Sequence, residues 1–476
     1  MLWKVVGKEL RELSRDQRLC RSVAVVPVLL VGVLAIGGYE SRRLGNVQRQ
    51  SQHAARENWL NQGQRDPHGA AHHGIFLFKP KPPLAFFDPG LDPYLGTTVR
   101  IEAHHQHRLA NRPAADATDS LRFDASTTAL MLQVVLPLVV ILLGFSAVSG
   151  ERERGTLPLV LSLGIPNRTL VLGKSIAILA VVGLIIAPLA PIFGWVLTTT
   201  EDGGSPSDIV IRAGLLAFGY AAYLGGWIGF TLAVSARAKS SKVALILLIA
   251  VWATSTLLVP RLANESASRL HPLPTQEELE QKSNRAARFN AKGENPVRAM
   301  VNELEAKYLA KYQVKRKQDL PINFEGVMMQ ASEEFTDKLH DEANASLEAI
   351  FGRQDQVVGS CAWASPFLAI RMASMSLTGT DRPHHERFSR AAETYRRGLI
   401  RAMNEALARQ KPAGPTEEGG QAGRDLWESV DTFRYRMPDW TWAARNSAPG
   451  LILLQAWFVL SAGLALTAKP RIQNDE

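Results

Sequence analysis

Cysteine is almost missing from these 476 residues: Cys20 and Cys361 are the whole supply, so no disulfide framework is expected to hold the fold together. A nucleotide-binding loop is missing as well. Gly173-Lys174-Ser175 resembles the end of one, but the earlier glycine that the pattern needs falls on Arg168, and no strand precedes it. The chain is therefore expected not to hydrolyse nucleotide by itself. It has no HExxH pair and no G-x-S-x-G elbow, which sets aside the commonest hydrolase chemistries, and no compact basic-aromatic module for nucleic acid. A cleaved leader is not expected either. The first 21 residues include the acids Glu9, Glu12 and Asp16, and no small-x-small site follows the first apolar run.

What the sequence does have is long apolar runs. A bilayer core takes about 20 helical residues to cross, and six such runs are present, at 22–39, 127–148, 175–197, 213–235, 243–259 and 450–467. In hydrocarbon every backbone N–H and C=O must be paired within its own segment, so these runs predict helices. Pro27, Pro137, Pro188 and Pro191 should kink or loosen theirs. The expected fold is an α-helical integral membrane protein with six transmembrane helices.

Charge sets the orientation. Lys4, Lys8, Arg11, Arg15, Arg18 and Arg21 precede the first run; Arg152, Arg154, Arg168 and Lys174 lie between the second and third. Arg237, Lys239 and Lys242 join the fourth to the fifth, and Lys469 and Arg471 follow the last. The loop 198–212 carries Glu201, Asp202 and Asp208 against one arginine. By the positive-inside rule both termini (1–21 and 468–476) and the segment 149–174 are expected to be cytoplasmic. Arg42 and Arg43 run against this trend, at the start of a long loop where the rule is weak. The net charge of +9 then reflects attraction to anionic lipid, with no need of nucleic acid.

Two large insertions, 40–126 and 260–448, fall on the other side and predict a mainly α extracytoplasmic domain. The first is turn-dense (FKPKPPLAFFDPGLDPY) and should be mostly irregular, with short strands or helices. The second has helical periodicity, with Phe335, Leu339, Ala343, Leu347 and Ile350 in one stripe and Met300, Leu304 and Leu309 in another. Within it, the helix opened by Ser365 and closed by Gly379, with Pro366, Phe367, Ile370 and Met372, is too short to span and predicts an interfacial helix on the outer leaflet. A buried helix is the alternative. Trp3, Val6, Leu10 and Leu13 oppose Lys4, Lys8, Arg11 and Arg15, which predicts an amphipathic N-terminal helix serving as a lipid anchor or a docking surface. Gly225 and Gly229 form a small-xxx-small pair suited to close helix packing. No metal site is expected: His68, His72 and His73 are weak candidates, since Pro67 and nearby glycines argue against a long helix, and most histidines read as solvated.

The segment between the second and third runs carries the sharpest motif. Glu151-Arg152-Glu153-Arg154-Gly155-Thr156, then Leu157, Leu161, Pro166, Arg168, Leu170, Gly173 and Lys174, resembles the E-R-E-x-G-T-L…L…P…R…L…G-K signature of type-2 ABC exporter permeases. Ser365-Pro366, Gly379-Thr380-Asp381, His384-His385, Phe388 and Tyr395-Arg396 look like a bacterial subfamily with large extracytoplasmic domains. The resemblance implies a coupling helix within 149–174 that docks on a separate ATP-binding subunit; ATP and Mg would be bound there, leaving this chain without cofactor or catalytic residue. It also implies a second permease, identical or sister, and export. Leu157, Val160 and Leu161 would insert into a groove of the motor, and Glu151 and Glu153 would favour the helix start. Pro158 departs from the family pattern and should delay or kink that helix. Two other readings stay open: a mechanotransmitter acting on an extracytoplasmic protein, and a membrane sensor with an extracytoplasmic ligand-binding domain.

Overall fold

The computed structural model describes residues 1–15, 17–107, 109–112, 127–198, 205–275, 277–279, 281, 295–410 and 420–468, with 17–23 in backbone only. Cys20, Arg18 and Arg21 are therefore not described as side chains, and Glu201, Asp202, Lys469 and Arg471 lie outside the described residues. In chain order the elements are α1 (Leu2–Arg15), α2 (Gln17–Leu60), α3 (Pro67–His73), β1 (Ile75–Phe78), α4 (Asp92–Leu95), β2 (Thr98–Glu102) and β3 (His105–Gln106). Then come α5 (Thr128–Glu153), α6 (Leu157–Ser162), α7 (Asn167–Ile186), α8 (Leu189–Thr198), α9 (Pro206–Arg237) and α10 (Ser241–Leu270). The chain continues through α11 (Pro296–Tyr312), α12 (Phe324–Cys361), α13 (Pro366–Thr378), α14 (Arg382–Arg409), α15 (Arg424–Ser429) and α16 (Trp440–Leu466). Among the described residues six helices, α2, α5, α7, α9, α10 and α16, are long and apolar enough to cross a membrane.

Their ends differ from the apolar runs for physical reasons. Beyond Tyr39 the residues of α2 are polar, yet rich in the helix formers Arg, Gln, Glu and Ala and supported by the Glu40–Arg43 pair at 2.9 Å, so the helix runs on to Leu60. In the same way α10 passes 259 and ends at Leu270. The third run is broken in two at Ala187-Pro188, where proline removes a ladder hydrogen bond. Just before Pro137, α5 loosens into a π-helical turn over Met131–Val135.

Packing inside the bundle is close. A Cβ on Gly229 would stand 2.9 Å from the Ser461 carbonyl carbon, and one on Gly225 would meet the Phe458 ring at 2.8 Å, so the glycine pair lets α9 lie directly on α16. Against the interfacial expectation, α13 is a buried helix. Pro366, Phe367, Leu368, Ala369, Ile370, Ala373 and Leu377 are all covered, and Met372 is half-covered. Its caps are those read from the sequence: Ser365 Oγ accepts from the Leu368 N–H at 3.2 Å, and Gly379 closes the helix at φ 81°. A helix apolar around most of its circumference is satisfied by burial on several sides rather than by a flat interface. The backbone of α13 comes so near α16 that a Cβ on Gly450 would sit 2.7 Å from the Ala369 carbonyl oxygen.

The two insertions share a second core. The antiparallel sheet β1-β2-β3, in register at Ile75 with Ile101, packs with α14 around Leu77, Val99, Phe388, Leu399 and Met403. The far end of α2 reaches this core: the Trp59 indole donates to the Trp427 carbonyl at 3.0 Å, and both rings are fully buried. The predicted apolar stripe on α12 is only partly covered, and the face of that helix turned inward carries Glu333 and Asp337, paired with Arg396 of α14. The histidines are not uniformly solvated either; His68, His384 and His385 are buried.

Candidate functional site

The four charges of Glu151–Arg154 all reach other elements of the molecule. Glu151, at the end of α5, is 1 % exposed and accepts from Lys174 Nζ of α7 at 3.0 Å and from Lys8 of α1. Lys174, equally buried, also donates to Glu9 of α1 at 2.8 Å. Two carboxylates and two ammonium groups thus alternate. Such a set is stable only while balanced, because each buried ion owes its place to the others.

Arg152 turns the other way. Its guanidinium donates to the Ala236 carbonyl at 2.6 Å and the Ala238 carbonyl at 2.5 Å, covering orphan acceptors at the C-terminal end of α9. Glu153 accepts from Ser241 N at 2.8 Å and Ser241 Oγ at 2.7 Å, so its carboxylate faces the N-terminus of α10 rather than that of α6. Arg154, exposed, pairs with Glu12 of α1 at 2.9 Å. Four consecutive charges therefore tie α1, α5, α7 and both ends of the α9–α10 link together.

The same node fixes α1. Val5, Val6 and Glu9 form its buried face, and Val5 lies so close to α7 that a Cβ on Gly173 would stand 2.6 Å from Val5 Cγ1. Gly173 makes the room, and Lys174 beside it makes the ionic contact. Trp3 points away and is exposed, as are Lys4, Arg11 and Arg15.

Between these anchored ends stands α6. Gly155 (φ 69°) starts it and Gly164 (φ 72°) follows it, both in the left-handed region that glycine tolerates. Pro158 falls in the first turn, where its missing N–H costs nothing, so the helix is not delayed. Leu157 is completely buried against Val148, Leu170 and Ala236, with Leu161 and Val160 partly so. This corrects the expectation that Leu157 inserts into a partner. The outward face is Pro158, Leu159, Ser162 and Leu163, the two leucines 64 % and 65 % exposed.

At the other end of the bundle α13 is tied to the helices around it by polar contacts. Ser374 Oγ donates to Asp88 Oδ2 at 2.5 Å, and the Tyr220 hydroxyl reaches Ser374 at 3.4 Å. Gln133 donates to the Tyr220 hydroxyl at 2.8 Å, and Tyr223 to the Gln133 carbonyl at 2.6 Å. Burial pushes the Asp88 carboxyl above the usual carboxylate range, though Ser374, Arg371 and the Gly90 N–H pull it down. Arg212 of α9 adds bonds to the Leu377 carbonyl at 3.3 Å and the Pro438 carbonyl at 2.6 Å.

Of the three candidate histidines, His68 and His72 stand one turn apart on α3, a helix that forms because Asp66 caps it and Pro67 opens it. His73 is exposed and is not part of their cluster, whereas His104, from the β2–β3 turn, is. Sequence distance hid His104, and nothing in the motif pattern pointed to Asn404 or Glu333 beside it.

Residues 276–436 match a protein-family model described as a domain of unknown function, DUF3526, which covers about a third of the chain. No curated protein matches the chain.

Proposed function

We propose that this chain is the membrane-spanning permease subunit of a type-2 ABC transporter, working in export with a second identical or sister permease. A separate cytoplasmic ATPase would hold ATP and Mg and dock on α6. The observation that carries this reading is the four-charge node: a short helix with two exposed leucines stands between ends anchored by Glu151, Arg152 and Lys174. Force applied at Leu159 and Leu163 would pass through buried ionic and hydrogen-bonded contacts to α1, α5, α7, α9 and α10 together. In this reading both termini and α6 face the cytoplasm of a bacterial inner membrane, and the domain built from the two insertions is extracytoplasmic.

The test is purification from native membranes in mild detergent with mass spectrometry of what accompanies the chain. An ATP-binding subunit near one per permease is expected, and should be lost in Leu159→Asp/Leu163→Asp while the chain still inserts and melts as wild type. Retention of a fully stimulated ATPase by that variant would overturn the docking assignment.

One observation favours a second reading, in which the motor delivers force to an extracytoplasmic partner and nothing crosses. The buried helix α13 belongs to the inserted domain yet packs among α9, α10 and α16, so movement of those helices would be felt directly by that domain. Reconstituted vesicles that hydrolyse ATP and change the domain's protease sensitivity without moving solute would select it.

A further inference from the structure

We propose that His68, His72 and His104 form a binding site for a zinc-class transition-metal ion in the inserted domain. Their ring nitrogens can all be chosen within 4.8 Å of one another, and the ring centroids form a nearly equilateral triangle with sides of 4.8, 5.1 and 5.2 Å. His68 Nε2 and His104 Nε2 stand 3.2 Å apart. Two imidazole nitrogens bound to one tetrahedral ion at about 2.0–2.1 Å would be about 3.3 Å apart, so the spacing is that of ligands.

The surroundings orient both rings for this role. Asn404, fully buried, donates its amide to Gln330 at 3.2 Å, which leaves its oxygen to accept from His68 Nδ1–H at 3.0 Å. Glu333 Oε1 accepts from His104 Nδ1–H at 2.5 Å and from the His104 backbone N–H at 2.7 Å. Its other oxygen is held by Arg396 at 3.3 Å. In both histidines the Nδ1 proton is thus engaged and the Nε2 lone pair faces the centre, the arrangement in which outer partners fix metal-binding imidazoles. Two lone pairs at that distance need something positive between them.

The backbone agrees. His104 sits at φ 61°, in the left-handed region, and Glu333 holds it there with two hydrogen bonds. His72 completes the set from the exposed side, leaving the fourth position open to water or to a ligand atom from a partner. Three imidazoles suit zinc, copper or nickel better than magnesium or calcium.

The experiment uses the full chain in detergent, purified on a tag without histidine, stripped with chelator and titrated with Co(II). One ion per chain with the intense visible bands of a tetrahedral centre is expected, and Zn(II) should displace it. His72→Gln, at an exposed position, should abolish the bands while the metal-free protein melts unchanged; folded His104→Gln, which also gives up the ring's bond to Glu333, should lose them too, and His73→Gln should keep them. If wild type gives no such bands, or if folded His72→Gln and His104→Gln bind as wild type does, the site is not a metal centre.

Discussion

Replacing Glu151 by Gln keeps the shape of the side chain and removes the buried acid that pairs with both Lys8 and Lys174. Lys174 is 1 % exposed on its side chain, so it cannot turn to water; only Glu9 at 2.8 Å remains to it. Breaking a buried ion pair from one side costs about 3–5 kcal/mol, and the surviving Glu9 contact argues for the lower end, about 3 kcal/mol. That is roughly a hundredfold shift in the equilibrium that holds α1 against α7. Burial of Val5 and Val6 still contributes about 1.5 kcal/mol each, so α1 opens more often without being lost. Trypsin cleavage after Arg11 and Arg15, both exposed on α1, reads the opening directly, because cleavage of a transiently opened segment follows its population. The single variant should be cut up to about a hundredfold faster. Adding Lys174→Met removes the stranded charge, leaving Lys8 beside Glu9 and Glu12, and should recover at least about tenfold of that rate. A rate within about threefold of wild type for the single variant, or a double variant as damaged as the sum of both singles, would refute the balanced-node account.

Arg152→Met should destabilise the chain by about 2–3 kcal/mol, since two carbonyls at the end of α9 lose charge-assisted bonds; a thermal melt in detergent measures it, and an unchanged melt would mean that those bonds contribute nothing. Asp88 titrates higher in the folded chain than in the unfolded one because of its burial, so the folded state holds that proton more tightly. Its contribution is full below the unfolded carboxylate pKa and is lost as pH rises through the folded one. Asp88→Asn should therefore flatten that part of the stability–pH profile, while retention of the wild-type slope would place its origin elsewhere.

The six apolar helices were readable because a run of that length without charge fits little besides a helix shielded from water, but their ends were not. Hydropathy stops at Tyr39, whereas the helix stops where Gly63 and Pro67 intervene, a matter of propensity and capping that a hydropathy window does not see. The helix at Pro366–Thr378 was read correctly in its caps and wrongly in its surroundings, since an interfacial helix and one wedged among others share the same composition. In the Glu151–Arg154 motif the sequence displays the charges and conceals their partners. Glu9 lies 165 residues from Lys174, and Ser241 lies 88 from Glu153, so only folding reveals that Glu151 and Arg152 are buried while Leu159 and Leu163 face out. His68 and His72 were visible as a helical pair. His104, 36 residues from His68 and on a strained turn, was not.

The unbroken length of α2 has a mechanical meaning. From Pro27, where a lost hydrogen bond makes bending easy, to Leu60 the helix extends about 50 Å at 1.5 Å per residue. It is a lever with a built-in pivot: a tilt of about 5° at the proline would displace the Trp59 end by about 4 Å, nearly the rise of one helical turn. A small change in angle among the apolar helices would thus arrive at the sheet and at the histidine triangle as a displacement large enough to rearrange side-chain contacts.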